Sequence, residues 1–350
     1  MRAYILLFAT ACVASPALAD HTAPTAVGVG GGITVLGPDQ LDAGHWALGF
    51  RLTYTRPDQR SDEELEALAA DHVHAHNSDY NAAAAAGFAY GLTDRLTLSA
   101  DLPFVRRDGL REGEHSHVGG EALNEVVELG DVTGFGDLSV LAKYSLARSK
   151  AGGLALLGGI KLPTGSTHKR SDQGERLETE HQPGTGSWDP IIGAAAGMKL
   201  DGLQLNASAL YQFSGKGAQH TRLGDRAQGG LSLSHRFGPA EHHHDGAEDH
   251  HDHGGGETAE PHAHDRPAHG HQSVDAFVEL TGEWEGRQKV DGEIEAASGG
   301  RSIWLTPGAR FNSASGLSIA AAFGLPVWQH NRASHPQNDY RLTLSIGRAF

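Results

Sequence analysis

The sequence contains one cysteine and no apolar stretch long enough for a membrane-spanning helix. A helix needs about 20 apolar residues to cross a bilayer, so a helical inner-membrane protein is not expected. Cys12 lies in a segment that we expect to be removed, which leaves the mature chain without thiol or disulfide chemistry. Only 39% of the residues are hydrophobic, few for the core of a soluble domain. The formal net charge of −15 argues against nucleic acid as a partner.

The N-terminal residues predict export. Arg2 precedes a short apolar run over 3–13, and the small residues of Ala17-Leu18-Ala19 stand before Asp20. This order of charge, apolar run and small residues is typical of a cleaved signal peptide. A lipoprotein signal at Cys12 is the weaker alternative. We therefore expect a signal peptide over 1–19 and an N-terminal periplasmic segment over 20–44.

Apolar residues alternate with polar or small ones along most of the remaining chain. From Trp46 to Tyr54 every second residue is apolar, and Leu203 to Phe213 repeats the pattern. A period of two residues is typical of β-strands that present one face to an apolar environment. Twelve such runs occur, and they begin near His45, Asn81, Arg95, Gly136, Gly153, Trp188, Leu203, Arg226, Ser273, Arg301, Leu317 and Asp339.

The connections between these runs alternate in length. Tight turns such as 93–95 and 201–202 alternate along the chain with long polar stretches such as 57–80 and 108–135. Short periplasmic turns and long external loops are the layout of an outer-membrane barrel. The sequence therefore predicts an all-β protein, a transmembrane antiparallel β-barrel of about 12 strands over 45–350, in the outer membrane of a Gram-negative bacterium. Outer-membrane lipid is then expected to surround the barrel. Phe350 is a candidate signal for recognition of the chain by the barrel-assembly machinery.

Three short motifs carry a family resemblance. They are Gly134-Phe135-Gly136-Asp137-Leu138, Ile160-Lys161-Leu162-Pro163-Thr164-Gly165 and Gly184-Thr185-Gly186-Ser187-Trp188-Asp189-Pro190. In this order they resemble motifs of the outer-membrane transporter family named for the meta-pathway of phenol degradation. The resemblance implies a barrel that takes up or exports small, often aromatic compounds, and it assigns no catalytic residues.

Charged residues fall on the face opposite the apolar set, which predicts that they line the lumen. A charge on the lipid face costs about 2–4 kcal/mol at mid-membrane, so the inward assignment also follows from energetics. A conducting polar pathway and an ion-paired network that fills a narrow barrel are equally compatible with this set. The predicted lumen-facing residues are Arg51, Asp101, Lys143, Lys161, Lys199, Glu279, Glu283 and Arg310.

Residues 241–272 form a low-complexity tract rich in histidine, glycine and aspartate. By strand parity it joins the eighth and ninth strands on the periplasmic side, where the other connections are short. Imidazole and carboxylate groups suit Zn²⁺, Cu²⁺ or Ni²⁺, although a merely solvated loop is the alternative. The candidate ligands in the tract are His242, His243, His244, His250, His251, His253, His262, His264, His269 and His271.

A smaller group of histidines lies in the first external loop. His72, His74 and His76 alternate along the chain and are further candidate metal ligands. No cofactor is required by the barrel itself, and a divalent transition metal is the one candidate.

Three classes of function remain open. The first is a channel or transporter for small solutes, with metal handling through the tract as a linked function. The second is a metal-binding barrel without an open pore. The third, a barrel enzyme such as a phospholipase, is disfavoured because His235 is the only mid-strand histidine on the outward face and has no evident Ser/Asn partners. We therefore expect no enzymatic activity.

Overall fold

The computed structural model describes residues 32–118, 120–238 and 272–350. Within these ranges the chain forms sixteen strands and one α-helix. They are β1 (Trp46–Pro57), α1 (Asp62–Ala70), β2 (His76–Asn77), β3 (Tyr80–Thr93), β4 (Leu96–Val118), β5 (Glu121–Phe135), β6 (Ser139–Ser149), β7 (Gly152–Lys161), β8 (Asp189–Leu200), β9 (Leu203–Gln212), β10 (Arg226–Phe237), β11 (Ser273–Glu285), β12 (Lys289–Val290), β13 (Glu293–Ile294), β14 (Gly300–Asn312), β15 (Leu317–Gln329) and β16 (Asn338–Ala349). In the described ranges no helix has the length and apolarity needed to cross a membrane.

Twelve of the strands form one closed antiparallel barrel. Its order is β4-β3-β1-β16-β15-β14-β11-β10-β9-β8-β7-β6, and pairing of β6 with β4 closes the ring. Closure pairs the backbone groups of every strand with a neighbour, as a sheet surrounded by lipid requires. The predicted fold class is therefore confirmed, and each barrel strand begins within three residues of a predicted run.

The two-residue period also sorts the side chains as predicted. On the outer face, Leu48 and Phe50 are each 47% exposed, whereas Asn206 and Ser302 on the inner face are fully buried. An exposed apolar belt around a polar interior is the reverse of a soluble protein and matches an outer-membrane barrel.

One predicted loop is a strand hairpin instead. The polar stretch 108–135 was expected to be an external loop, but β4 continues to Val118 and β5 returns beside it, paired from Val118↔Glu121 to Phe104↔Phe135. The hairpin extends beyond the barrel, and its exposed half shows no apolar alternation because neither face meets lipid. The strand therefore escapes a prediction based on period.

The long connections at the external end carry their own local structure. In the first of them, α1 begins after Ser61, whose hydroxyl accepts a hydrogen bond from the Glu64 amide at 3.2 Å. This is the start of a capping-box pattern, Ser-x-x-Glu. Leu65 of α1 is fully buried, so the helix packs against the protein rather than standing free.

The first and last strands meet in a complete seam. β1 and β16 pair from Ala47↔Ala349 to Pro57↔Asn338. The Trp46 and Phe350 rings stack at a centroid distance of 4.1 Å, and their backbones exchange hydrogen bonds of 3.1 and 2.8 Å. The last residue of the chain is therefore part of the closure.

Candidate functional site

The three family motifs converge on one buried ionic network at the external end of β6, β7 and β8. Lys161 Nζ lies 2.6 Å from Asp137 Oδ2 and 3.0 Å from Asp189 Oδ2, and it also donates to Thr185 Oγ1. Asp137 Oδ1 accepts a hydrogen bond from the Gly165 amide at 2.9 Å, and its Oδ2 accepts from the Thr185 amide at 2.9 Å. Each motif therefore supplies at least one member of a hydrogen-bonded cluster in which one lysine is shared by two carboxylates.

Glycine is required where two of these motifs cross. A Cβ added to Gly165 would lie 2.6 Å from the Gly184 Cα, and one added to Gly184 would lie 2.5 Å from the Gly165 Cα. The two backbones touch, so neither position accommodates a side chain. This contact and the ionic network together bring both ends of the loop 162–188 to one point.

The middle of that loop folds over the barrel mouth. Leu177 packs with Leu110 and Val132 from the β4–β5 hairpin in a buried apolar cluster. Thr179 donates to the Ala218 carbonyl at 3.0 Å, which fastens the loop to the next external connection. The loop thus covers the lumen from the external side.

A second segment crosses the lumen below it. Residues 32–42, here called the floor segment, precede β1 and lie inside the barrel. The Glu279 carboxylate on β11 accepts hydrogen bonds from the Thr34 amide at 3.0 and 3.1 Å and from the Val35 amide at 2.8 Å. The Leu41 amide donates to Thr97 Oγ1 on β4 at 3.1 Å. β11 and β4 are six strands apart in the ring of twelve, so the floor segment spans the lumen from side to side.

Apolar contacts anchor the floor segment as well. Leu36 packs with Leu141, Leu157 and Ile191, all on the inner face of the barrel. The alternation predicted a polar lumen, whereas the lumen also contains this apolar cluster. The inward apolar side chains are matched by an apolar residue of the floor segment, which removes them from water.

Between the floor segment and the external loops lies a chamber. Its cavity volume is about 210 Å³. Its wall combines cationic, anionic and apolar groups, among them Arg51, Arg226, Glu285, Leu210 and Leu223. Such a wall offers charges for polar groups and apolar surface for the body of a small organic molecule.

The predicted lumen-facing residues have distinct places within this arrangement. Arg51 lines the chamber and interacts with the charges of Asp101 and Glu279. Glu283 pairs with Arg341 at 2.7 Å in the chamber wall.

The other members of the predicted set lie near the floor segment or at the ends of strands. Lys143 Nζ donates to the Gly37 carbonyl at 3.3 Å, and Arg310 donates to the Gly32 carbonyl. Lys161 belongs to the ionic network, and Lys199 is exposed near the periplasmic end of β8.

A cluster of histidines forms the roof of the chamber. The lid cluster consists of His76 on β2, Glu180 and His181 in the loop 162–188, and His335 in the last external loop. His76 Nδ1 and His181 Nε2 lie 3.6 and 3.7 Å from Glu180 Oε1. His335 Nδ1 lies 3.2 Å from His76 Nε2. All four side chains line the chamber.

Burial controls the charges of this cluster. It lowers the pKa of His335 to about 3 and takes the pKa of His76 well below its ordinary value. It raises the pKa of Glu180 to about 8. Burial also disfavours the charged ring of His181, but the carboxylates of Glu112 and Glu180 outweigh it and raise the pKa of His181. At neutral pH His76 and His335 are therefore neutral imidazoles.

The predicted metal ligands of the first external loop separate in the structure. His76 enters the lid cluster. His74 is largely exposed and pairs with Glu112 at 3.4 Å, and this hydrogen bond raises the pKa of His74 to about 9. The His72 ring instead contacts the His115 ring at 4.4 Å. The ten histidines of the tract 241–272 lie outside the described residues.

Sequence reasoning missed Glu180, His181 and His335. Glu180 and His181 are adjacent but lie more than 100 positions from His76, and His335 lies 154 positions after His181. No local spacing links them, because loop folding alone brings them to His76. The only available signal was the placement of all of them in long connections at the same end of the predicted barrel.

The disfavoured enzyme hypothesis finds no catalytic pair at His235. Its Nδ1 lies 3.0 Å from the Gly202 carbonyl oxygen, and its ring contacts Phe237. A backbone carbonyl cannot serve as the nucleophile that a hydrolase needs.

Comparison with solved structures supports the barrel. The chain is similar to an outer-membrane channel of Pseudomonas putida F1 described as COG4313, with 19% identity, a TM-score of 0.53, and coverage of 89% of this chain and 97% of that one. LpxR of Salmonella typhimurium gives 12% identity, a TM-score of 0.39 and coverage of 86% and 99%. A mutant of the monoaromatic hydrocarbon channel TodX gives 9% identity, a TM-score of 0.39 and coverage of 89% and 90%.

Comparison with sequences adds the family. No curated protein matches the chain. The family model described as "Putative MetA-pathway of phenol degradation" matches residues 53–260, more than half of the chain, and this range includes all three motifs of the ionic network. The chain therefore belongs to this family and is one of its β-barrel proteins of the Gram-negative outer membrane.

Proposed function

We propose that the protein is an outer-membrane channel for small solutes, and that solutes pass through the chamber. The chamber itself carries the proposal, since it is a cavity with a charged wall inside a closed barrel. A filled barrel of ion-paired side chains would leave no such space. The external loops and the floor segment bound the chamber, so passage requires both to shift.

The floor segment is the more readily moved of the two. It precedes β1 and contributes no strand to the barrel, so its release leaves all twelve strand pairings intact. The loop 162–188, in contrast, is fastened through Lys161 to two buried carboxylates. We therefore assign the floor segment as the inner gate.

Small aromatic compounds are the first solutes to test. The family description refers to phenol degradation, and the chamber wall pairs apolar side chains with arginines that can hydrogen-bond a hydroxyl or carboxylate. Arg341 lies 4.1 Å from the centre of the Trp304 ring, so a stacked cation and aromatic ring already adjoin the chamber.

Planar-bilayer conductance of the refolded barrel tests the channel. We expect discrete current steps, and larger steps in a variant that lacks residues 32–42. Liposome swelling with phenol and with benzoate then tests the solute class. A barrel that is folded yet shows neither conductance nor solute flux, with or without residues 32–42, would contradict the proposal.

Metal handling on the periplasmic side is a second candidate function. The observation that favours it is the tract 241–272, in which aspartates are interspersed among ten histidines. A tract of this composition offers several exchangeable sites of moderate affinity for Zn²⁺, Cu²⁺ or Ni²⁺. Zinc titration of the intact protein and of a variant with a short turn in place of the tract separates this function from the channel.

A further inference from the structure

Three side chains of the lid cluster present their donor atoms to one point. The donor atoms of His76, Glu180 and His181 all lie within 4.8 Å of one another, with two separations of 3.6 and 3.7 Å. Metal–ligand bonds of about 2.0–2.1 Å at tetrahedral angles place ligand atoms about 3.3 Å apart. Two of the separations need to shorten by only a few tenths of an ångström, and the third, at most 4.8 Å, by no more than about 1.5 Å, to bring these atoms onto a common ion.

The two imidazole nitrogens that face this point lack hydrogen-bond partners. His76 Nδ1 and His181 Nε2 are buried, and neither makes a hydrogen bond. An unsatisfied buried polar atom costs about 1–3 kcal/mol, so native proteins rarely retain two side by side. A bound cation would satisfy both nitrogens at once, in exchange for any proton that they carry.

The opposite ends of the same groups are already held. His76 Nε2 lies 3.2 Å from His335 Nδ1, which fixes its ring with Nδ1 toward the cluster. Glu180 Oε2 accepts a hydrogen bond from Gln288 Nε2 at 2.5 Å, which leaves Oε1 for the shared point. Metal ligands in proteins are typically oriented in this way by a neighbour on their far side.

We propose that His76, Glu180 and His181 bind one divalent transition-metal ion of the Zn²⁺ type in the roof of the chamber. Two nitrogens and one carboxylate oxygen suit Zn²⁺, whereas Ca²⁺ and Mg²⁺ prefer oxygen ligands alone. Glu112, whose Oε2 lies 3.7 Å from His181 Nε2, is placed to complete the set. The site is distinct from the tract 241–272, since it lies at the external end of the barrel, whereas β10 ends at Phe237 and β11 begins at Ser273 at the opposite end.

The ion would cross-link the external loops. Its ligands come from the first and third external connections, and the groups that orient them, Gln288 and His335, come from the fifth and sixth. Binding would therefore hold the roof of the chamber in the closed arrangement. The inference goes beyond the proposed channel, since the site can bind metal whether or not solutes pass.

Zinc titration of the full chain by calorimetry tests the site. We expect His181→Asn and Glu180→Gln each to lose one tightly bound Zn²⁺ that the wild type holds. His220→Asn is the matched control, because His220 is an exposed external-loop histidine whose positive φ of 57° suits asparagine. Gln288→Met, which removes only an orienting group, should weaken that Zn²⁺ by about 10–100-fold.

Equal zinc stoichiometry and affinity in wild type and His181→Asn, with both barrels folded by heat-modified gel mobility, would overturn the site. A second measurement needs no variant. Zn²⁺ added to the wild type should slow amide hydrogen exchange at 76–77 and 179–181. Protection confined to 241–272, or no protection, would equally overturn the proposal.

Discussion

Glu279 is the side chain whose change most directly tests the inner gate. It is fully buried on the inner face of β11, and its carboxylate accepts every hydrogen bond that joins β11 to the Thr34 and Val35 amides. In Glu279→Gln the volume is kept, but the charge is lost and an NH₂ group replaces one acceptor. That NH₂ then faces the backbone N–H groups, which are also donors.

The size of the effect follows from these contacts. A hydrogen bond to a charged group contributes about 1.5–3 kcal/mol, and at least one is lost in the amide variant. The ratio of released to docked floor segment should therefore rise by about 10- to 150-fold. All barrel strand pairings are untouched, so thermal stability of the barrel should change far less than the gate.

Single-channel recording measures this ratio as the fraction of time spent in the larger conductance state. Glu283→Gln is the matched control, since Glu283 lies on the same face of the same strand but pairs with Arg341. We expect the control to keep the wild-type occupancy. If both amide variants match the wild type in occupancy and step size, the floor segment does not gate the barrel.

Three further predictions concern the barrel wall, the ionic network and the tract. A lipid-confined thiol reagent should label Leu205→Cys and spare Asn206→Cys, and the reverse pattern would show that the assigned register is wrong by one residue. Lys161→Met leaves Asp137 and Asp189 buried without their cation and should destabilise the fold by about 3–5 kcal/mol, measured by thermal unfolding in detergent. The exposed Lys199→Met serves as its control, and equal losses in the two variants would discount the network. Replacing the tract with Asn-Gly should leave a folded barrel that has lost most of its Cu²⁺ or Zn²⁺ uptake, and in the wild type that uptake should fall below about pH 6 as imidazoles protonate. Unchanged uptake after the replacement would place the ligands elsewhere.

The barrel was predictable because lipid imposes the same rule on every strand. Leu48, Phe50 and Leu344 all face outward because that face of the barrel contacts lipid. This requirement produces a two-residue period that can be read locally in the sequence. The β4–β5 hairpin has no such record beyond the membrane, since its faces there meet α1, the loop 162–188 and water rather than lipid. Its extent follows only from backbone pairing, which leaves no mark in composition.

The interior was harder to predict for a different physical reason. The lumen-facing charges could be listed by parity, but their partners are distant in sequence, as with Glu279 and Val35 or Lys161 and Asp137. The sequence does not distinguish a charged residue that binds the floor segment from a charged residue that lines the chamber. The lid cluster is the extreme case, because His76, His181 and His335 are brought together only by the folding of separate loops.

The seam between β1 and β16 has a consequence for biogenesis. The ladder between β1 and β16 runs for eleven residue pairs, from Pro57↔Asn338 to Ala47↔Ala349, so it forms only after β16 has been exported. A chain that stopped before Asn338 would leave the edges of β1 and β15 open, and each unpaired backbone group in lipid costs several kcal/mol. A chain without β16 therefore has no stable membrane-inserted state, and insertion of the barrel depends on the twelve residues of this strand.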